Sequence, residues 1–427
     1  MSWTLTAVAG ALLAYAAVSS RLAGTVVTAA IAFTGAGLVL GPDALGLIDL
    51  ERGGHTIRLL AEATLALVLF SDASRIDVTV LRRELTVPAR LLGIGLPLTI
   101  VLGVLVAAPL LGELLLAEAF VLAVVLAPTD AALGQAVVTE ERLPSRIRQG
   151  LNVESGLNDG ICVPLLFIAL AAAEVEASQE TTGGAVQLVL EQIGYGIVGG
   201  VIAGALAAAV LVAAGRRRWI EGSWLQVVPV AGAALAYGIA LSLGGSGFIA
   251  AFVGGGVYGF LRRRFSEEAE HLLEELGGVL DSVTFLVFGA VLLVPALELV
   301  SWEGVVYALL SLTVVRMLPV AVAMIGTRAR RPTVAFLGWF GPRGLASIVF
   351  AAIVVEDADL PHTETIVSVT LVAVALSVLA HGVSATPLVR RYVGWYESHP
   401  GDRLPAMEGV AVTEHPWRRR VHRRDDG

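Results

Sequence analysis

The stretch NVESGLNDG (152–160) sets Glu154, Ser155, Asn158 and Asp159 directly ahead of the apolar run ICVPLLFIALAAA (161–173). Read as one helix, Ser155 and Asp159 share a face, while Glu154 and Asn158 form a neighbouring stripe. A carboxylate beside a hydroxyl suits a small cation or a proton. Two further stretches interrupt apolar runs with charge. FVLAVVLAPTDAALGQAVV (120–138) carries Pro128, Thr129 and Asp130, and WFGPRGLAS (339–347) carries Gly341, Pro342, Arg343 and Gly344. A charged side chain at the centre of a bilayer costs at least ~2.5–3.5 kcal/mol, so each of these needs a reason to be there.

Proline removes a backbone donor and disfavours helix in the residue before it. An acid or a glycine pair at such a point fits a discontinuous helix that exposes carbonyls and helix ends to an ion at mid-membrane. Asp130 and Asp159 would then share one low-dielectric place. One carboxylate cannot hold a proton and a cation at once, and that competition is enough for exchange if the empty charged site seldom crosses. Glu154 needs a counter-charge, and Arg316 in LTVVRMLPV is the arginine inside the eleventh apolar block, so a buried Glu154–Arg316 pair is expected. That pair is expected to hold the fold without touching the transported species.

These clusters require a membrane scaffold. The chain has 427 residues, is 56% hydrophobic and only 15% charged, whereas a soluble domain is about half apolar and about a quarter charged. The apolar residues fall in thirteen blocks, near 3–20, 23–41, 56–72, 89–111, 115–138, 147–173, 184–214, 224–243, 246–261, 277–297, 304–326, 333–355 and 364–388. The first lacks the basic start and cleavage site of a signal peptide and reads as a span. All 29 basic residues are arginine. They concentrate in alternate loops (SRIDVTVLRRE, EERLPSRIR, GRRRW, LRRRFSEE, TRARRP, VRRY), while the other loops are acidic or neutral. The positive-inside rule puts the arginine side in the cytoplasm, with the N-terminus outside and the C-terminus inside. The expectation is an all-α polytopic protein of about 13 transmembrane helices. Six, a linker and six would give two inverted repeats with broken, crossing helices 5 and 12 in matching places.

At these residues the chain resembles the monovalent cation/proton antiporters, in the NhaP-like sodium/proton exchanger branch. The resemblance spans nearly all blocks, through FTGAGLVLGPDALGLID, APTDAALG, ESGLNDG, VVRMLPV, WFGPRGLAS and LAHGVSATPL. It implies a homodimer working as an elevator in the plasma membrane. Residues 1–111 would hold scaffold helices 1–3 and the first core helix, 112–173 core helices 5 and 6, and 174–223 a linking helix. Residues 224–300 would complete the scaffold, 301–392 the core, and 393–427 a cytoplasmic tail. It further implies that Asp159 is the main ion and proton carrier, with Asp130, Ser155 and the Thr129 backbone as further ion contacts. Asn158, Glu154, Arg316 and Arg343 would support them. Asn158 in place of a second aspartate matches the branch that exchanges one cation for one proton. Na⁺ or Li⁺, and H⁺, would be cargo, with no cofactor and no nucleic-acid partner. FSDAS (70–74) departs from the family pattern and leaves Asp72 unassigned; the membrane interface is its expected place.

Other readings are weaker. GGSG (244–247) matches a rhomboid-type nucleophile motif with His381 as base, but it falls in a loop and the spans are too many. No repeated filter segment marks a channel. K⁺/H⁺ exchange is the close rival within transport. His55, His271, His362 and His381 lack metal-ligand spacing, and Cys162 reads as a small filler. The glycines of AFVGGGVYG read as a packing surface. The basic tail reads as a frayed or loosely docked end, with an anionic-lipid or regulatory contact as the alternative.

Overall fold

The computed structural model describes all residues except 1, 51–54, 77–85, 131–132, 135–136, 138–139, 179–181, 221, 263–269, 358, 400–406 and 410–427. Helix is the regular secondary structure of the described residues, with no strand among them. In chain order the helices are α1 (Ser2–Leu22), α2 (Ala29–Leu40) and α3 (His55–Arg75), α4 (Thr86–Leu110), α5 (Leu116–Val125), α6 (Ser145–Ser178), α7 (Thr182–Arg216), α8 (Trp224–Ser242) and α9 (Gly247–Arg262). They continue with α10 (His271–Leu299) and α11 (Trp302–Ala323), then α12 (Arg331–Trp339), α13 (Leu345–Asp357) and α14 (Thr363–Glu397).

Eight of these, α1, α4, α6, α7, α8, α10, α11 and α14, are long and apolar enough to cross a membrane on their own. The chain is a multi-pass membrane protein. Thirteen blocks therefore yield fewer self-sufficient spans than expected, for physical reasons. Charges along α3 (Arg58, Glu62, Asp72 and Arg75) dilute its hydropathy. The fifth and twelfth blocks are not continuous: α5 stops at Val125, and the twelfth block is two helices, α12 and α13, flanking residues 340–344. The sixth and thirteenth run past their expected ends, to Ser178 and Glu397.

Two groups of helices pack among themselves. In one, α9 lies against α3 and α7, and small residues set the spacing. A Cβ at Gly204 would run into the Gly254 backbone, and one at Gly255 into that of Phe70. Gly254, Gly255 and Gly259 of AFVGGGVYG thus form a packing face, as expected, whereas Gly256 looks onto open space. In the other, α4, α5, α6 and α11 to α14 enclose the interrupted segments. Their buried contacts include Tyr307 Oη donating to the Gly103 carbonyl at 3.3 Å and Ser347 Oγ donating to that of Val125 at 2.8 Å.

The tail departs from expectation where it is described. Met407 and Glu408 are buried, and Arg330 N donates to Glu408 Oε1 at 2.9 Å. Thr333 Oγ1, at the start of α12, donates to the same oxygen. Glu408 caps an N-terminus whose own cap residue, Arg330, supplies no side-chain acceptor. The RRRVHRRDDG segment and most of the loops SRIDVTVLRRE and LRRRFSEE lie outside the described residues.

Candidate functional site

The two interrupted segments meet. Backbone N–H of Asp130 donates to the Pro342 carbonyl at 2.8 Å, and Leu345 N donates to Asp130 Oδ2 at 3.0 Å. Leu133 N approaches Asp130 Oδ1 at 3.4 Å. Leu345 opens α13, so Asp130 caps a helix on the opposite chain segment while its own backbone is held by the unwound stretch. That crossing is why residues 341–344 carry two glycines: a Cβ at Gly344 would overlap the Asp130 carboxylate, and one at Gly341 the Arg316 guanidinium.

Arg343 lies fully buried between the breaks. Its Nη1 donates to the carbonyls of Pro128 at 3.2 Å and Gly341 at 3.1 Å. Unwound segments leave such carbonyls without intrahelical donors, and a guanidinium supplies several at once. Arg343 thereby neutralises the negative ends of both interrupted segments.

α6 runs past this crossing. Asn158 Nδ2 donates to Thr129 Oγ1 at 2.6 Å, and Ser155 Oγ donates to the Thr129 carbonyl. One turn along, Glu154 and Arg316 form a two-pronged ion pair, Nη1 to Oε1 at 2.6 Å and Nη2 to Oε2 at 2.9 Å, both side chains buried. Arg316 follows an abrupt kink in α11 at Thr313 (φ −111°, ψ −91°).

Asp159 differs from these. It is 8% exposed, and its Oδ1 has no hydrogen-bond partner within the protein. The charges acting on it are the carboxylates of Asp130 and Asp72. All eight residues expected from the sequence converge here: Thr129, Asp130, Glu154, Ser155, Asn158, Asp159, Arg316 and Arg343. Asp72, expected at the interface, is half-buried near the end of α3, close enough for its charge to act on Asp159. The signal available for it was only an acid flanked by Ser71 and Ser74 near the end of an apolar block. Beside Asp159, Gly160 accepts the ring of Phe252 from α9, because any Cβ there would overlap that ring.

A separate cavity of about 300 Å³ lies between the two helix groups, lined by Arg58, Glu62, Phe167, Tyr237, Phe248 and Glu356 among others. Arg58 of α3 pairs with Glu356 of α13 and with Glu62, whose other oxygen accepts from Tyr237 Oη at 2.8 Å. The pair bridges the two helix groups. GGSG lines the same cavity through Gly244 to Gly247. His381 is elsewhere, hydrogen-bonded to Trp339 and Ser377. The protease constellation is therefore not assembled. His362 pairs with buried Glu118, Nδ1 to Oε2 at 2.8 Å.

Residues 8–391 match the sodium/hydrogen exchanger transmembrane family model. The chain belongs to the sodium/hydrogen exchanger family. Among curated relatives, it is 26% identical over 365 residues to the K(+)/H(+) antiporter NhaP2 of Shewanella oneidensis, covering 84% of this chain and 61% of that protein. It is 27% identical over 299 residues to the Na(+)/H(+) antiporter NhaP of Pseudomonas aeruginosa, covering 67% of each. The chain thus spans about three-fifths of the length of the NhaP2 relatives. Its fold is that of the sodium proton antiporter MjNhaP1 from Methanocaldococcus jannaschii at pH 8, with a TM-score of 0.74 at 18% identity over 89% of this chain and 98% of that one.

Proposed function

We propose that this exchanger-family chain is a secondary antiporter, not an enzyme, moving a monovalent cation one way and H⁺ the other through Asp159. The observation that carries this reading is the contrast among three gathered acids. Glu154 is neutralised by Arg316 and Asp130 is committed to capping α13, whereas Asp159 keeps a buried oxygen without a partner. An uncompensated carboxylate at that depth must take up a proton or a cation, and it cannot hold both. Ser155 Oγ and the Thr129 carbonyl, now bonded to each other, are the further oxygens for a dehydrated cation. Asp130 and Asp72 add negative charge that draws the cation in.

Loaded with either species, the Asp159 carboxylate is neutral and crosses at low cost; empty, it is charged and does not. That makes exchange obligatory, and one cation for one proton leaves no net charge moved. Na⁺, with Li⁺, is the proposed cation, as the family description suggests. The similarity to K(+)/H(+) antiporters named NhaP2 supports K⁺ as the second reading. The ions are cargo, and no resident cofactor is needed. The protein works in the plasma membrane as a homodimer, with α1 to α3 and α8 to α10 as scaffold and α4 to α6 with α11 to α14 as the moving core. The arginine-rich loops set the N-terminus outside and the C-terminus in the cytoplasm.

The test is cation-driven proton movement in proteoliposomes with Na⁺, Li⁺ and K⁺, comparing wild type with Asp159→Asn. Dissipation of a pH gradient by the wild type alone is expected, and the most active ion names the substrate. An equally active variant would sink the assignment of Asp159.

A further inference from the structure

Ser377 and His381 lie one turn apart on α14, buried and outside the acid cluster. Trp339 is the last residue of α12, and its carbonyl faces His381 Nε2 at 2.9 Å. A carbonyl only accepts, so Nε2 carries the proton and Nδ1 offers its lone pair. Nδ1 then takes the hydroxyl proton of Ser377, 3.1 Å away, rather than bonding to the Ser377 carbonyl, which lies at 3.0 Å. The same Ser377 oxygen accepts from the backbone N–H of Arg343 at 2.7 Å. One chain of donors therefore runs from Arg343 N through Ser377 and His381 to Trp339 O. It begins inside the unwound stretch, at Arg343, and ends on the last residue before it. The indole packs on the imidazole, centroids 5.1 Å apart, and Trp339 Nε1 donates to Ser384 Oγ at 2.9 Å, so α14 grips the end of α12 twice.

We propose that Ser377 and His381 are positioning residues that hold the break in the twelfth span at its start, Trp339, and within it, at Arg343, and so set the geometry of the cation site; this rests on the antiport reading above. The link from brace to site is short. Residues between Trp339 and Leu345 provide the Pro342 carbonyl that holds Asp130 N, and Leu345 N holds the Asp130 carboxylate. Slack in the stretch would move Asp130 and, through Thr129, the oxygens beside Asp159.

The experiment measures apparent KM and Vmax for cation-dependent proton movement by the full chain in proteoliposomes, with Na⁺ and K⁺, alongside thermal unfolding. The variants are His381→Ala, His381→Asn, His381→Gln and Ser377→Ala. A glutamine amide nitrogen sits where Nε2 does and restores the bond to Trp339, whereas asparagine is too short. We expect KM to rise about fivefold or more for alanine at either position and for asparagine, as loss of one buried hydrogen bond gives, and glutamine to stay within about twofold of wild type. An unchanged KM in His381→Ala, with only its unfolding temperature lowered, would overturn the proposal by making the brace a packing contact. Should His381→Ala fail to fold, equal KM values for the asparagine and glutamine variants would overturn it. A wild type that moves no protons with either ion removes the antiport reading and this inference with it. An active wild type, an inactive Asp159→Asn and unaltered His381 variants would remove this inference alone.

Discussion

Glu154 and Asp159 stand on one helix in one membrane and do opposite work, and their partners decide which does which. The arginine opposite Glu154 binds it through both oxygens, so Glu154→Gln should cost about 3–5 kcal/mol by stranding a buried guanidinium. The double change Glu154→Gln with Arg316→Met should recover much of that loss, as chemical or thermal unfolding in detergent would measure. A double variant no more stable than the single would show that the pair contributes more than mutual neutralisation. Asp130 is bonded to N–H groups of both crossing segments. Asp130→Ala should therefore lower stability by about 0.5–2 kcal/mol, the worth of a lost cap, in the same unfolding assay. The ion pair was legible in the sequence because an arginine inside an apolar block has few places to go. The capping by Asp130 was not, since it depends on which helix start arrives from more than two hundred residues later in the chain. The influence of Asp72 on Asp159 was not legible for a related reason: it depends on how α3 packs beside α6.

The two unwound stretches are the elements that build the site. Pro128 and Pro342 pointed to them, because proline in an apolar run removes a donor and disfavours helix in the preceding residue. Their exact ends, and the fact that they lock onto each other, are set by tertiary contacts such as Asp130 N to Pro342 O. The glycines are the sharpest test at this scale. Gly344→Ala should push the Asp130 carboxylate out of place and cost about 1–3 kcal/mol as overpacking does, with transport lost before folding is. Activity in proteoliposomes normalised to folded protein checks this, and wild-type activity in Gly344→Ala would contradict the close approach. The docked tail was invisible to composition. Glu408 is one acid in an ordinary terminal segment, and only the open N-terminus of α12 reveals its use. Glu408→Gln keeps an acceptor but removes the charge; it should lower stability by about 0.3–1 kcal/mol, the worth of an anion at a helix start.

For the molecule as a whole, the apolar blocks carried the all-helical, multi-pass architecture, because hydrocarbon thickness is written directly in composition. What composition does not record is which contacts tie the two helix groups together. Arg58 with Glu356 is such a tie, from α3 to α13 across the cavity between the groups. If the groups move against each other, the tie opens each cycle. Arg58→Gln should then change the turnover rate by at most about fivefold, since a half-exposed ion pair is worth about 0–1 kcal/mol, and leave cation KM unchanged. A shift in KM instead would place Arg58 in the ion's path. The central claim is that one carboxylate trades a proton for a cation. It is tested most directly by counting protons released when Na⁺, or K⁺, binds to purified protein in weakly buffered detergent. The account predicts about one proton released per cation bound by the wild type where Asp159 is protonated, and none from Asp159→Asn. Cation binding by the wild type with no proton released at any pH would contradict it.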